Sequence, residues 1–171
     1  MTQTVAHVVN RLVIDTGNTF DDVRQRYESL VPSIDFAELV AVIQTGDLKR
    51  LQAYTAEHTP HSFAIYATLD PMPVMGLSGH QRRAITYLMG NNVIAETMFR
   101  HDPGIILYAP LRTAIYEATP SHAQFSIDQP STRFTSFDEP RIAEVGAQLD
   151  AKLAELLRLM SLPVPPELIT V

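Results

Sequence analysis

Cysteine and tryptophan are both absent from the 171 residues of the chain. Without cysteine the chain has no disulfides, thiolate nucleophiles, iron–sulfur clusters or cysteine-rich zinc sites. No run of 18 apolar residues occurs, so we expect no transmembrane helix and no membrane partner. Basic residues are the minority, with 13 lysines and arginines against 19 acidic residues and a net charge of −6. Because a negative field repels phosphate backbones, we expect no nucleic-acid partner.

Several motifs of common enzyme classes are also missing. The seven glycines are scattered and form neither a GxGxxG nor a GxxxxGK[ST] loop, which leaves dinucleotide and P-loop nucleotide sites unsupported. Neither GxSxG nor HExxH occurs. The start of the chain, residues 1–4, has no charged residue followed by an apolar stretch, so we expect no signal peptide and a cytoplasmic protein.

What is present is a globular composition with alternating strand and helix patterns. Hydrophobic residues make up 46% and charged residues 19%, which fits one domain over residues 1–171. Two-residue alternation and β-branched content predict strands over residues 5–15, 62–69, 82–89, 105–107, 111–118 and 123–128. Three- and four-residue apolar spacing predicts a helix capped by Thr19, a second that starts at Asp35, and further helices over residues 47–58, 93–101 and 141–160.

The remaining segments are rich in proline and glycine. We predict a loop over residues 70–79 that packs on the core as a flap, with a lid over a ligand as the alternative. A second loop is predicted over 130–140, and an extended tail over 162–171. Strands, helices, a late hairpin and a long closing helix together indicate an α+β fold, with one sheet covered by helices on one face.

The segment from Tyr87 to Pro130 resembles the domain-of-unknown-function 302 family. Its strand is followed by the turn Gly90-Asn91-Asn92, a helix carrying small residues and methionine at 95–98, the strand start Ala109-Pro110-Leu111-Arg112, and a hairpin that ends in proline. Asn92 stands where proline is usual in that turn. The resemblance implies a curved antiparallel sheet backed by helices, similar to the TATA-binding-protein fold, with a helical insertion near residues 33–60. It implies no activity.

A group of polar residues falls on the predicted hairpin. Arg112 and Tyr116 share one strand face because side chains repeat every two positions, and Tyr108, Glu117 and Asp128 lie close in sequence or on the paired strand. A guanidinium beside a phenol in a dry pocket can hold a carboxylate, enolate or carbonyl oxygen. The alternative is an ordinary ion pair of Arg112 with Glu117 or Asp128 at the rim of the sheet.

We therefore predict that the protein binds a small organic molecule in a pocket between the sheet and its helices. Any chemistry there is expected to be cofactor-independent acid–base work of the lyase or isomerase type, with Arg112 holding an oxyanion and His58 or His61 acting as base. The residues predicted to line the pocket are Tyr66, Met72, Met75, Tyr87, Tyr108 and Tyr116.

Two other functions stay open. The first is a non-catalytic interaction module that forms a homodimer through a sheet edge or the closing helix. The second is haem or metal binding through His58, His61 and His80. Two local features also have double interpretations: Glu96 is either a general base or an exposed helical glutamate, and the turn at 90–92 either binds an anion or is simply capped by asparagine.

Overall fold

Five antiparallel strands form one open sheet in the computed structural model, which describes residues 2–169. The order across the sheet is β1-β5-β4-β3-β2, and all four neighbouring pairs are antiparallel. The strands are Arg11–Asp15 (β1), Ala64–Leu69 (β2), Ala84–Gly90 (β3), Leu111–Thr119 (β4) and His122–Asp128 (β5). Together with the helices packed on it, the sheet confirms the α+β class.

Helices connect the strands and follow the last one. The α-helices are Phe20–Leu30 (α1), Phe36–Gln44 (α2), Leu48–His58 (α3), Met72–Met75 (α4), Asn92–Phe99 (α5), Pro130–Phe134 (α6) and Pro140–Leu159 (α7). Short 3-10 helices lie at Gly76–Ser78, Pro103–Leu107, Thr135–Phe137 and Pro166–Leu168. Within residues 2–169, no helix combines the length and the apolar character that crossing a bilayer requires.

The predicted helix starts are confirmed by the hydrogen bonds that cap them. The Asp35 side chain accepts from the main-chain NH groups of Ala37 and Glu38, and Thr19 and Asp47 cap α1 and α3 in the same manner. Each cap satisfies NH groups that have no partner inside the helix. These local interactions explain why the starts of the first three helices can be located from the sequence.

One face of the sheet carries the main core. In β4, Leu111, Thr113 and Ile115 are buried, while Arg112, which lies between two of them and points to the opposite face, is exposed. Helix α1 packs on the buried face, where the Tyr27 ring lies 4.9 Å from the Tyr87 ring, and the Tyr27 hydroxyl lies 3.2 Å from Thr113 Oγ1. Helix α7 adds its buried leucines to the same core. The helices thus cover one face, and we call the other the open face.

A smaller hydrophobic cluster lies beyond β2. Ile34, Leu39, Val42 and Tyr54 pack there with Ala64 at the start of β2. The segment before α2 pairs with this strand, since Ser33 and Ile65 form an isolated parallel bridge. Residues 33–60 therefore form helical structure along the outer edge of the sheet.

Some predicted elements differ from the structure. Residues 105–107 are not a strand but lie in the 3-10 helix Pro103–Leu107, because Asp102 caps that turn by accepting from the Gly104 NH at 2.7 Å. The predicted loop 130–140 contains α6 and a 3-10 turn. The first strand starts only at Arg11, and Val8 before it is 83% exposed.

The segment 70–79 also departs from the expectation. It folds into α4 and the following 3-10 turn, and Val74, Met75 and Leu77 face solvent, with Leu77 88% exposed, while Met72 is half-buried. The predicted packing of this flap on the core is therefore wrong. In the tail, residues 162–165 have no regular secondary structure and Pro166–Leu168 form a 3-10 turn; residues 170 and 171 lie outside the described part.

Candidate functional site

Two cavities flank the segment from Ile106 to Leu111, which precedes and begins β4. The first, about 350 Å³, lies against α5 and is called the α5 cavity. The second, about 430 Å³, lies beside Arg112 and is called the Arg112 cavity. Ile106, Ala109, Pro110 and Leu111 contribute to both linings, so this segment is the wall between them.

The α5 cavity exists because small residues meet where β3 ends. Gly90 closes β3, and a Cβ on it would come within 3.5 Å of Pro110 Cβ and 3.7 Å of the Tyr66 ring. The other walls are Ala95 and Met98 of α5 and Ile105 of the 3-10 helix, so the interior is largely apolar. The cavity volume falls in the lower part of the range of about 300–1,000 Å³ that small-molecule pockets occupy.

Asn91 fixes the position of α5 beside this cavity. Its side-chain oxygen accepts from the NH groups of Val93 at 3.0 Å and Ile94 at 3.1 Å, while its amide donates to Thr59 Oγ1 and to the Ser62 carbonyl. These two NH groups of the helix start are therefore engaged by the cap. Capping by Asn91 therefore satisfies both NH groups, and no bound anion is needed to satisfy them.

Tyr66 brings a buried hydroxyl to the lining of the α5 cavity, whose other polar residues are Asn91, Asn92 and Glu96. The oxygen is buried and has no hydrogen-bond partner among the described residues. Burial raises the pKa of Tyr66. The nearby main-chain NH of Asn92 partly opposes that rise, although it makes no regular hydrogen bond with the hydroxyl. At neutral pH the hydroxyl therefore stays protonated and can donate a hydrogen bond to an acceptor.

The surroundings of this cavity at the surface are mostly apolar. Phe99 and Ile106, which line it, are 46% and 65% exposed. Glu96 is the charged side chain of the lining, and its carboxylate forms an ion pair with Arg100 one helical turn away. Glu96 is half-exposed, which matches the helical-surface interpretation of this residue.

The Arg112 cavity is more polar. Asp128 accepts hydrogen bonds from Arg133, and the Arg133 guanidinium lies 4.9 Å above the centre of the Tyr108 ring. Tyr108 Oη also lies 3.4 Å from His7 Nε2. Arg112 lines the same cavity, but its side chain makes no hydrogen bond or ion pair within residues 2–169.

Arg112 and Tyr116 lie on one strand face, as the two-residue alternation predicts, but it is the open face. Arg112 is exposed there, and Tyr116 lines neither cavity. Glu117 points to the other face and binds Arg83 at 2.8 Å, so it is not the partner of Arg112. The enclosed pocket expected between these residues and the helices is not formed, because packed core side chains fill the helix-covered face.

Three other residues predicted to line the pocket lie outside both cavities. Tyr87 is fully buried in the core and donates to Glu28 Oε1 at 2.8 Å. Met72 and Met75 belong to the exposed α4 turn. Of the residues predicted to line the pocket, Tyr66 lines the α5 cavity and Tyr108 lines the Arg112 cavity.

The histidines proposed as bases or ligands lie away from these two cavities. The His58 ring stacks on Tyr54 with 4.0 Å between centroids, and its Nδ1 lies 2.8 Å from the Tyr54 carbonyl oxygen. Neither His58 nor His61 nor His80 lines either cavity. Within the part of the chain that the structure describes, no three histidine, aspartate or glutamate side chains are grouped as a metal site requires.

The apolar walls of the α5 cavity were missed by the sequence-based site prediction. Gly90, Ala95, Met98 and Ile105 carry no catalytic signature, and they come together only in the folded chain. The signal available in the sequence was Gly90, which lies directly before the helix cap Asn91. A residue this small at the end of β3 leaves room beside the helix.

Comparisons with known proteins agree with this fold. One solved structure, described as an uncharacterized conserved protein DUF302 from Bacillus stearothermophilus, is 10% identical and aligns with a TM-score of 0.63. The alignment covers 88% of this chain and 97% of that chain, and at this identity it supports the fold alone. No curated protein matches the chain. The model of a family described as "Domain of unknown function DUF302" matches residues 51–160, which is more than half of the chain, so this chain belongs to the DUF302 family.

Proposed function

We propose that this chain binds a small organic molecule in the α5 cavity. The molecule has an apolar body, which fills the space between α5 and Pro110, and one hydrogen-bond acceptor that reaches the Tyr66 hydroxyl. The observation that supports this proposal is that Tyr66, whose buried hydroxyl has no hydrogen-bond partner among the described residues, lines a largely apolar cavity of about 350 Å³.

The energetic argument concerns an unpaired buried donor. Leaving such a group without a partner costs about 1–3 kcal/mol, and a ligand acceptor returns that free energy on binding. A carbonyl oxygen fits best, because it accepts from the Tyr66 hydroxyl and brings no donor of its own that would need a partner in the cavity. The exposed apolar residues Phe99 and Ile106 would cover the rest of the molecule.

The residues around Tyr66 favour binding over acid–base catalysis. The Glu96 carboxylate is paired with Arg100, and His58 and His61 do not line the cavity. A group free to act as base near the ligand is thus lacking among the described lining residues. The predicted lyase or isomerase chemistry gains no support from this cavity.

The test is a binding comparison with two probes of nearly equal shape. Acetophenone carries a carbonyl, whereas ethylbenzene does not, and both are titrated into the wild type and into Tyr66→Phe while amide NMR shifts are followed. We expect Tyr66→Phe to weaken acetophenone binding about ten- to hundredfold, about 1.4–2.8 kcal/mol, and to leave ethylbenzene binding unchanged.

Tyr116→Phe is the matched control, because Tyr116 loses the same hydroxyl on the open face and lines neither cavity. It should bind both probes like the wild type. The proposal is refuted if acetophenone does not bind the wild type, or if Tyr66→Phe binds it as tightly as Tyr116→Phe does.

A further inference from the structure

Three arginines surround a single aspartate at one corner of the open face. Arg11 of β1 lies directly opposite Asp128 in the β1–β5 ladder. Because Thr113 pairs with Ile127, Arg112 takes the next position on the other side of Asp128. Arg133 of α6 completes the group by donating to the Asp128 carboxylate.

The charges in this group do not balance. Asp128 carries one negative charge and is bound by Arg133, whereas the side chains of Arg11 and Arg112 make no hydrogen bond or ion pair within residues 2–169. The group is therefore a positively charged region on a chain whose net charge is −6. Neighbouring strands are about 4.8 Å apart, so Arg11 and Arg112 lie roughly two strand spacings from each other.

The space beside these arginines is large enough for a small molecule. The Arg112 cavity of about 430 Å³ is lined by the apolar side chains of Leu88 and Ile106 as well as by Arg112. A guanidinium offers two parallel NH donors that match the oxygens of a carboxylate or a phosphate. Asp128 is the acidic residue of the lining, and its pairing with Arg133 leaves Arg112 available to a ligand.

We propose that this corner is a second binding site, which takes a small molecule with an apolar part and one carboxylate or phosphate group. Arg112 would bind the oxyanion directly, and Arg11 would add to the attraction from the neighbouring edge strand. Arginine stays charged at all ordinary pH values, so Arg112 is available to an anion over the whole neutral range. This inference is independent of the function proposed for the α5 cavity.

The experiment uses benzoate and phenyl phosphate as probes, with uncharged benzamide as the comparison, all at constant ionic strength. Each is titrated by amide NMR into the full chain, into Arg112→Gln and into Arg50→Gln. Arg50 is the control, since it is exposed, carries the same charge, and lines neither cavity. We expect at least one anion to shift residues of β4 and β5, and its affinity to fall at least tenfold in Arg112→Gln alone.

The probes also separate the two sources of the oxyanion. Selective binding of benzoate assigns the site to carboxylates, and selective binding of phenyl phosphate assigns it to phosphates. Tyr66→Phe should bind the anions like the wild type, so failure here and failure of the α5 cavity can be told apart. The proposal is overturned if neither anion binds more tightly than benzamide, if Arg112→Gln and Arg50→Gln bind alike, or if the shifts lie on α5.

Discussion

Replacing Gly146 by alanine tests how tightly α7 packs against α6. Gly146 is buried in α7, and a Cβ at this position would lie 3.1 Å from Phe134 Cβ and 3.1 Å from Ser131 Cα. Neither neighbour can move easily, because Phe134 is fully buried and Ser131 is held by Asp150 through its NH at 2.9 Å and its hydroxyl at 2.6 Å.

The expected magnitude is the difference of two effects. Inserting a methyl group into a packed region costs about 1–3 kcal/mol, whereas alanine gains about 1 kcal/mol over glycine inside a helix. The difference is about 0–2 kcal/mol, and since both neighbours are fixed we expect Gly146→Ala to lower the free energy of unfolding by an amount in the upper half of this range, about 1–2 kcal/mol. Urea denaturation followed by circular dichroism measures this change.

Gly76→Ala is the matched control for this prediction. Nothing lies within 4 Å of a Cβ at Gly76, and its φ of −62° suits alanine. This variant should be as stable as the wild type or up to about 1 kcal/mol more stable. If Gly146→Ala proves as stable as Gly76→Ala, the described contact between α6 and α7 is incorrect.

Two further substitutions probe buried polar interactions. Asp150→Asn places an amide NH₂ where Asp150 now accepts from Gln129, and it should lower the free energy of unfolding, measured by urea denaturation, by about 1–3 kcal/mol. The exposed control Asp138→Asn should lower it little. Equal stabilities of the two variants would contradict the network around Asp150. The Arg83 main-chain NH and guanidinium hold the pKa of Glu117 below its ordinary value of 4.5. The unfolded chain therefore binds more protons in acid, and the stability from Glu117 is present above about pH 4.5 and lost as pH falls below it. Glu117→Gln should lose less stability than the wild type between about pH 6 and 3; parallel pH profiles would refute this.

The fold was predictable where local interactions decide it. The caps at Thr19, Asp35 and Asp47 and the long apolar stripe of α7 act within a few residues, so sequence patterns locate them. The resemblance of residues 87–130 to the DUF302 family predicted the family of the chain. The antiparallel hairpin of β4 and β5 follows from the turn at 119–121 and two alternating strands.

Prediction failed where short apolar runs can adopt two structures. Ile105–Leu107 have the β-branched content of a strand, but the cap at Asp102 turns them into a 3-10 helix. The methionine-rich segment 70–79 suggested core packing, although its side chains lie on the surface. In both segments, contacts made by neighbouring residues outweigh the composition of the segment itself.

The candidate site was harder to predict than the fold. Alternation correctly placed Arg112 and Tyr116 on one face, but it cannot say which face the helices cover. The α5 cavity depends on Gly90, Ala95 and Pro110, which lack chemical signatures and meet only through the topology of β3, α5 and β4. The homodimer and the haem or metal alternatives stay predictions.

A crystal structure with bound 4′-bromoacetophenone would test the central claim most directly. The account predicts an anomalous bromine signal inside the α5 cavity and a carbonyl oxygen about 2.6–3.2 Å from Tyr66 Oη. An ordered water on the Tyr66 hydroxyl, with the probe absent from this cavity at saturating concentration, would contradict it.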